Sequence, residues 1–274
     1  MCIRDSDNSA VSTVIVVSAG AATSRPASAV LPGSRSVQLG VQASAFATIV
    51  NTSATAIDGC TISPLTNVPA QFFYQTSDPA TNQLTGTPNT PVSIAGNGLQ
   101  SFVIGLTPTE PFAPTEVQLG FDCGNTDTAF IVEGVNTLLV SGSSTPVADL
   151  VALGATPTND GIVNIAGAQG SAAFAVASVN TGAAAVLNVR AESTNAALPI
   201  TLNVCETNPD NGQCLAPPAP SVGSSIASGA TPTFSVFISA SDAVGFDPAN
   251  NRIRVLFEEG NTVRGATSVA VRTQ

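Results

Sequence analysis

Few residues in this 274-residue chain could do chemistry, and most of the usual sets are incomplete. There is no histidine, so Ser-His-Asp and Cys-His nucleophile systems and histidine-bearing zinc sites are excluded. The eight cations are all arginines. The lack of lysine removes the Gly-x-x-x-x-Gly-Lys phosphate loop and the lysine–asparagine isopeptide crosslink. Beside Cys2 there are Cys60, Cys123, Cys205 and Cys214. They are not spaced as Cys-x-x-Cys, which argues against a metal site, and four thiols allow three disulfide pairings. Thr158-Asn159-Asp160-Gly161, Asp210-Asn211-Gly212 and Asp247 with Asn250-Asn251 put oxygen donors in loops. Asp160, Asp210 and Asp247 are therefore the calcium candidates. None has the spaced acids of an EF-hand, and Asx and Gly serve turns in their own right. Glu258-Glu259 invites a paired-carboxylate reading. Neighbours on a strand point to opposite faces, however, which leaves a solvated pair at a strand end. Asp122 with Asp127, and Glu110 with Glu116, read as surface acids. With no tryptophan and one tyrosine, Tyr74, platforms for sugar stacking are scarce. No catalytic or cofactor-binding residue is expected, and the chain is not expected to be an enzyme.

The elements that carry these residues repeat. Val50-Asn51-Thr52, Gln75-Thr76-Ser77-Asp78-Pro79, Ser93-Ile94-Ala95-Gly96, Phe102, and Phe121 with Gly124-Asn125-Thr126 form one series. Val179-Asn180-Thr181, Glu206-Thr207-Asn208-Pro209, Ser225-Ile226-Ala227-Ser228-Gly229, Phe234, and Phe257 with Gly260-Asn261-Thr262 form a second. A repeat of this size is a whole domain. Phe102, Ile104 and Leu106 alternate, as do Phe234, Val236 and Ile238; so do Val117, Leu119 and Phe121, matched by Ile253, Val255 and Phe257. Spacing of two puts each triplet on one buried face of a strand. Many short strands with frequent turn signals predict two packed antiparallel sheets per copy.

The partition into copies favours Cys60 with Cys123 and Cys205 with Cys214. The first would tie an early strand to a late one across the sandwich, worth roughly 4 kcal/mol in the chain-entropy model. The second would pin a hairpin around Asn208-Pro209-Asp210-Asn211-Gly212, worth nearer ~3 kcal/mol. Cys123 follows Phe121 by two and shares its inward face. Its counterpart is Glu259, where the strand is expected to reach the rim, because a buried lone carboxylate is costly. Phe46 and Phe174 sit at different distances from Asn51 and Asn180, which a bulge in one copy would reconcile. Of Phe72 and Phe73, one must face away from the core, at a domain contact or in an exposed patch.

Charged residues make up 9% of the chain, and the net charge is −10 with a pI near 4.1. This acidity argues against nucleic acid or anionic membrane as partners, and no run of about eighteen apolar residues could span a bilayer. Met1-Cys2-Ile3-Arg4-Asp5-Ser6 resembles the translation of a sequencing-library adaptor. That resemblance implies the C-terminal part of a longer chain from a metagenomic assembly. Val14-Ile15-Val16-Val17 and the small residues after it could be taken for a signal peptide. Residues 7–18 match the ends of both copies better, and are read as the last strand of a truncated preceding copy. The organisation is then 1–6 adaptor, 7–18 remnant strand, 19–28 linker, 29–142 first sandwich, 143–148 linker and 149–274 second sandwich.

An early strand ending in Asn-Thr, then Ser-Ile-Ala, then an alternating phenylalanine strand resembles bacterial tandem immunoglobulin-like repeats of the Hydin or major-sperm-protein type. Phe102 through Leu106 followed by Thr107-Pro108-Thr109 fits that pattern well; Phe234 through Ile238 followed by Ser239-Ala240-Ser241 fits less well. The resemblance implies a structural or adhesive module of an exported protein, at the cell surface, outside the cell or in the periplasm. Its partners would be further copies upstream or a cell-surface or matrix component. Two other functions are open: accessory domains of a secreted enzyme whose catalytic domain lies upstream, and a filament subunit that adds residues 11–17 to a sheet edge of another chain.

Overall fold

The computed structural model describes residues 25–274. The readings of residues 1–6, of residues 7–18 with the donor strand 11–17, and of most of the first linker lie outside them. The chain divides between Thr145 and Pro146 into two units, and the described residues form strands and loops with no helix.

Unit 1 contains β1 (Ala27–Leu31), β2 (Ser34–Gln38), β3 (Ala43–Val50), β4 (Ile57–Pro64), β5 (Ala70–Ser77), β6 (Val92–Ile94), β7 (Leu99–Pro108), β8 (Phe112–Asp122) and β9 (Thr137–Ser143). They build one sheet in the order β1-β3-β7-β5 and a second in the order β2-β9-β8-β4-β6. Unit 2 repeats the plan with β10 (Leu150–Ala155), β11 (Ile162–Ile165), β12 (Ser171–Asn180), β13 (Ala185–Ser193), β14 (Ile200–Thr207), β15 (Ser221–Ile226), β16 (Thr233–Ala240), β17 (Arg252–Glu259) and β18 (Thr262–Thr273). Its sheets run β10-β12-β16-β14 and β11-β18-β17-β13-β15. Each unit is an immunoglobulin-like sandwich, and the four phenylalanine-bearing triplets are buried in its core as their alternation requires.

The sheets are not wholly antiparallel. In each unit the first strand breaks in two: β1 and β10 pair antiparallel with β3 and β12, while β2 and β11 cross to the other sheet. There they lie parallel to the last strand, Ser34–Gln38 beside Leu139–Ser143 and Ile162–Ile165 beside Ala270–Thr273. β1 starts at Ala27, β9 ends at Ser143, and Ala148 is already buried in the second core.

No bulge reconciles Phe46 with Phe174. β3 pairs with β7, and β12 with β16, without a register shift. Ala43, Ala45, Ala47 and Ile49 fill the inward positions of β3, so Phe46 points outward and is 43% exposed, while Phe174 is buried. The inward equivalent of Phe174 is Ala45. Phe72 packs on the first core. Phe73 lies on the outer face across Gly105, where a Cβ would come within 2.3 Å of its ring. Thr76 stands opposite Phe102 and Glu206 opposite Phe234, so the correspondence at this hairpin is one residue off the Thr76–Thr207 match in the sequence.

Candidate functional site

Both disulfides are present, Cys60–Cys123 and Cys205–Cys214. The first does not cross the sandwich. β4 and β8 are neighbours in one sheet, with Thr61 opposite Asp122, so Cys60 and Cys123 meet directly one step further on at a Cα separation of 4.0 Å. The chain's path from the first sheet to the second and back brings an early strand beside a late one without changing layer. Cys205–Cys214 closes the hairpin after β14, where Asn208 N donates to the Gln213 carbonyl and Gly212 N to the Asn208 carbonyl. Unit 1 folds the same six-residue loop without a disulfide. Asp78 N donates to the Gln83 carbonyl, Asn82 N to the Asp78 carbonyl, and the Thr76 and Thr85 hydroxyls bond at 2.9 Å.

The tie between layers is made by a residue whose role the sequence did not reveal. Asn51 directly follows β3 and Asn180 ends β12, and both are buried. Asn51 Nδ2 donates to the carbonyls of Thr55, Ile94 and Ala95 at 2.8, 3.2 and 2.9 Å; its Oδ1 accepts from Ser53 N and Oγ. Asn180 Nδ2 donates to the carbonyls of Ala183, Ile226 and Ala227 at 2.7, 3.4 and 3.3 Å; its Oδ1 accepts from Asp149 N and Gly182 N. Ile94 and Ile226 belong to the opposite sheet, so each asparagine bolts one layer to the other. A primary amide suits the place because it alone offers two N–H donors and a carbonyl acceptor in one plane. The available signal was the joint recurrence of Asn-Thr and Ser-Ile-Ala.

The calcium candidates lie in three separate loops of unit 2. Asp160 Oδ1 accepts from Thr156 Oγ1, Thr158 Oγ1 and Ile162 N, and so closes its own turn. Asp210 N donates to Asn208 Oδ1. The Asp247 carboxylate binds Asn250 N and Nδ2, and its carbonyl accepts from Asn251 N. Among the described residues, no three Cys, Asp or Glu converge into a group that could hold a metal ion.

Glu258 and Glu259 do point to opposite faces, but they are not a solvated pair. Glu258 Oε1 and Oε2 accept from Arg190 Nη2 and Nε, both at 2.9 Å, and Glu258 is 15% exposed. Arg190 also reaches Glu192, and these two carboxylates raise its pKa above the ordinary arginine value. Glu259, at the end of β17, pairs with Arg264 Nε at 2.9 Å. Of the surface acids, Asp122 accepts from Thr128, Asp127 pairs with Arg25, and Glu116 accepts from Thr137. Replacing Glu258 with glutamine should cost unit 2 about 1 kcal/mol, since the bidentate pair is partly screened by solvent. Urea unfolding measures this, and an unchanged midpoint would refute it.

Arg252 is 2% exposed, and no carboxylate pairs with it among the described residues. Its guanidinium donates to the Pro248 and Ser268 carbonyls and to Ser268 Oγ, holding the loop before β17. Burial pushes its pKa down to about 10. Below that pH the side chain is charged in the folded and unfolded chain alike, and its desolvation cost is constant. Above it, up to the ordinary arginine value, the unfolded chain binds more protons, so this residue's contribution to stability rises with pH. The stability gap between the natural chain and Arg252→Met should therefore shift in favour of the natural chain between pH 9 and roughly 11. A gap independent of pH would contradict the assignment.

A shallow cavity of about 170 Å³ lies over Pro64–Val68, Ala70 and Leu106. It is smaller than the several hundred Å³ of an ordinary small-molecule site. The geometry is that of two all-β immunoglobulin-like sandwiches in which, among the described residues, every buried side-chain nitrogen and oxygen has a hydrogen-bond partner. No protein-family model matches the chain, and no curated protein matches it. Solved structures similar to it include a protein of unknown function from Porphyromonas gingivalis W83, at 8% identity and TM-score 0.27, covering 90% of this chain and 99% of that one. The C-terminal domain of the AgI/II polypeptide BspA of Streptococcus agalactiae is similar at 12% identity and TM-score 0.26, covering 90% and 99%. SSP-19, an MSP-domain protein-like family member of Caenorhabditis elegans, is similar at 16% identity and TM-score 0.24, covering 42% and 98%. At such identities and TM-scores these likenesses bear on neither ligand nor activity.

Proposed function

We propose that this chain is a non-catalytic structural or adhesive module, two tandem sandwiches of a secreted or surface-exposed protein. The observation that carries the reading is where the shared residues go. Asn51 and Asn180, Phe102 and Phe234, and Phe121 and Phe257 are all buried in core or layer-tying roles. Asp160 and Asp247 are engaged with their own loops, and Glu258 and Glu259 with arginines. Two disulfides in a chain of this kind suit an oxidising compartment. Its partners would be further copies of the same sandwich or a component of the cell surface or matrix.

The test is made on the protein in the organism that carries the gene. Cells are alkylated before and after reduction, and the protein is located by surface proteolysis. Both disulfides should be oxidised, and the chain should be cut on intact cells. Reduced thiols in a protein protected from surface proteolysis would overturn the reading.

A further inference from the structure

Hydrogen bonds align the hairpin after β14 with the one after β5. Asn208 N and Asp78 N donate to the carbonyls of Gln213 and Gln83, and Leu215 N and Thr85 N to those of Glu206 and Thr76. Thr207 bridges to Cys214 as Ser77 does to Leu84. Cys205 and Cys214 therefore stand where unit 1 has Gln75 and Leu84. There the Gln75 amide spans the gap, its Nε2 donating to the carbonyls of Thr85 and Gly86 at 3.3 and 3.1 Å. A covalent bond in unit 2 thus takes a place that a side-chain hydrogen bond fills in unit 1.

The hairpin also holds itself without the sulfurs. At its tip Asp210 N donates to Asn208 Oδ1, Gln213 N to Asn211 Oδ1 and Gly212 N to the Asn208 carbonyl. Beyond the disulfide, Val204 and Ala219 exchange both backbone hydrogen bonds, at 2.7 and 3.0 Å. Opening the sulfur–sulfur bond leaves all of these in place. Access separates the two disulfides. Cys60 and Cys123 are 0% and 5% exposed, so a reagent reaches them once unit 1 opens. Cys205 is buried, but Cys214 is only half-buried. A disulfide opens when a thiolate attacks one of its sulfurs, and exposed disulfides are the labile ones.

We propose that Cys214 is a thiol-exchange site, which takes up a small uncharged or cationic thiol while unit 2 stays folded. The incoming thiolate attacks Cys214 Sγ. A bond forms between these sulfurs as the Cys205–Cys214 bond breaks, and the electron pair leaves on Cys205 Sγ, which takes a proton from water. A second thiolate can then remove the first as a small disulfide, so that two small thiols are oxidised and the cysteine pair is reduced. When the thiol is withdrawn from the mixed disulfide, Cys205 attacks Cys214 Sγ and closes the bond again, because the hairpin keeps the two side by side. Charge selects the thiol. Glu206 adjoins Cys205, Asp210 lies in the loop, no cation occurs in the sequence between Arg190 and Arg252, and the chain carries a net charge of −10. An anionic thiol meets a repulsion here that an uncharged or cationic one does not. The inference goes beyond the reading as a scaffold, which calls for no reactive group.

The test uses the full chain with Cys2→Ser, so that this thiol does not compete. The folded protein is treated with cysteamine or with mercaptoethanesulfonate and quenched with a maleimide, and its peptides are read by mass spectrometry. Cys205–Cys214 should open about tenfold faster than Cys60–Cys123, or more. The small thiol should be found on Cys214, with the circular dichroism spectrum unchanged. Relative to their rates on a small uncharged disulfide, cysteamine should outpace mercaptoethanesulfonate at low salt, and added salt should narrow the gap. Cys205→Gln combined with Cys214→Leu copies unit 1 at this place and should fold without reacting. Equal rates for the two disulfides, the small thiol on Cys205, opening only in urea, a double variant that fails to fold, or equal relative rates for the two thiols at low salt would each overturn the inference. These measurements are made on the purified chain, so they stand or fail apart from the oxidation and surface-proteolysis test in cells.

Discussion

Asn180→Ala is expected to lower the stability of unit 2 by about 3–4 kcal/mol, as much as truncating a buried core side chain. The substitution removes few apolar contacts, so the loss is almost entirely polar. It leaves the carbonyls of Ala183, Ile226 and Ala227 and the N–H groups of Asp149 and Gly182 without their partner. A buried backbone group left unpaired costs roughly 1–3 kcal/mol, and relaxation or entering water recovers part of the sum. Asn180→Asp keeps the volume and is the sharper variant. An ionised carboxylate would face three carbonyl oxygens and could donate to none, so at neutral pH it should cost more than alanine. Protonation restores one donor, so the deficit should shrink as pH falls. Asn51→Ala should behave alike in unit 1, where Ser53 and Thr55 complete the network. Urea unfolding with a probe in each unit gives the values. A shift under roughly 0.5 kcal/mol for Asn180→Ala would show that the bolt contributes nothing beyond an ordinary surface site.

Removing Cys60–Cys123 by paired alanine substitution should destabilise unit 1 by about 4 kcal/mol, because the bond closes a loop with a sequence separation of 63. Paired substitution of Cys205 and Cys214, separated by 9, should cost unit 2 roughly 2–3 kcal/mol. The order matters more than the values. The hairpin of unit 1 keeps its shape through hydrogen bonds, among them Asp78 N to the Gln83 carbonyl and Thr76 with Thr85, so the second disulfide secures a loop that the fold already makes. The first restrains most of the path from β4 to β8. Chemical reduction should therefore lower the unfolding midpoint of unit 1 more than that of unit 2. Equal shifts, or the reverse order, would refute the loop-length account.

What could be read in the sequence follows from the range of the interaction. The alternation of Phe102, Ile104 and Leu106 is a local property of one strand, and it gave the buried face directly. The partner of each cysteine was legible because the copies confine the choice. The layer in which Cys60 meets Cys123 was not, since it depends on β4 lying beside β8, a pairing between distant segments. Phe46 misled for a related reason. Small inward alanines at 43, 45 and 47 leave the aromatic residue on the outer face, and hydrophobicity alone points the other way. Asn51 and Asn180 were visible as markers of the repeat, and their recurrence together with Ser-Ile-Ala was the one hint of a role, because their partners, the Ile94 and Ile226 carbonyls, lie on a distant segment. Glu258 looked solvated because its partner, Arg190, is on another strand.

The parallel seating of β2 on β9 and of β11 on β18 has a mechanical consequence. Tension applied through the two ends of a unit drives its second strand and its last strand in opposite directions along a common axis. The hydrogen bonds between them lie across that direction and are loaded in shear. The pairs from Ser34–Leu139 to Gln38–Ser143 must then yield together, and so must those from Ile162–Ala270 to Ile165–Thr273. An antiparallel hairpin peeled from its open end would instead give way one pair at a time. Once the clamp of unit 1 ruptures, the Cys60–Cys123 bond withholds the residues between them from extension, so the unit lengthens only through the segments before Cys60 and after Cys123. Both units then resist a pull abruptly, but after rupture unit 1 releases only part of its length, whereas the disulfide of unit 2, with a sequence separation of 9, withholds little.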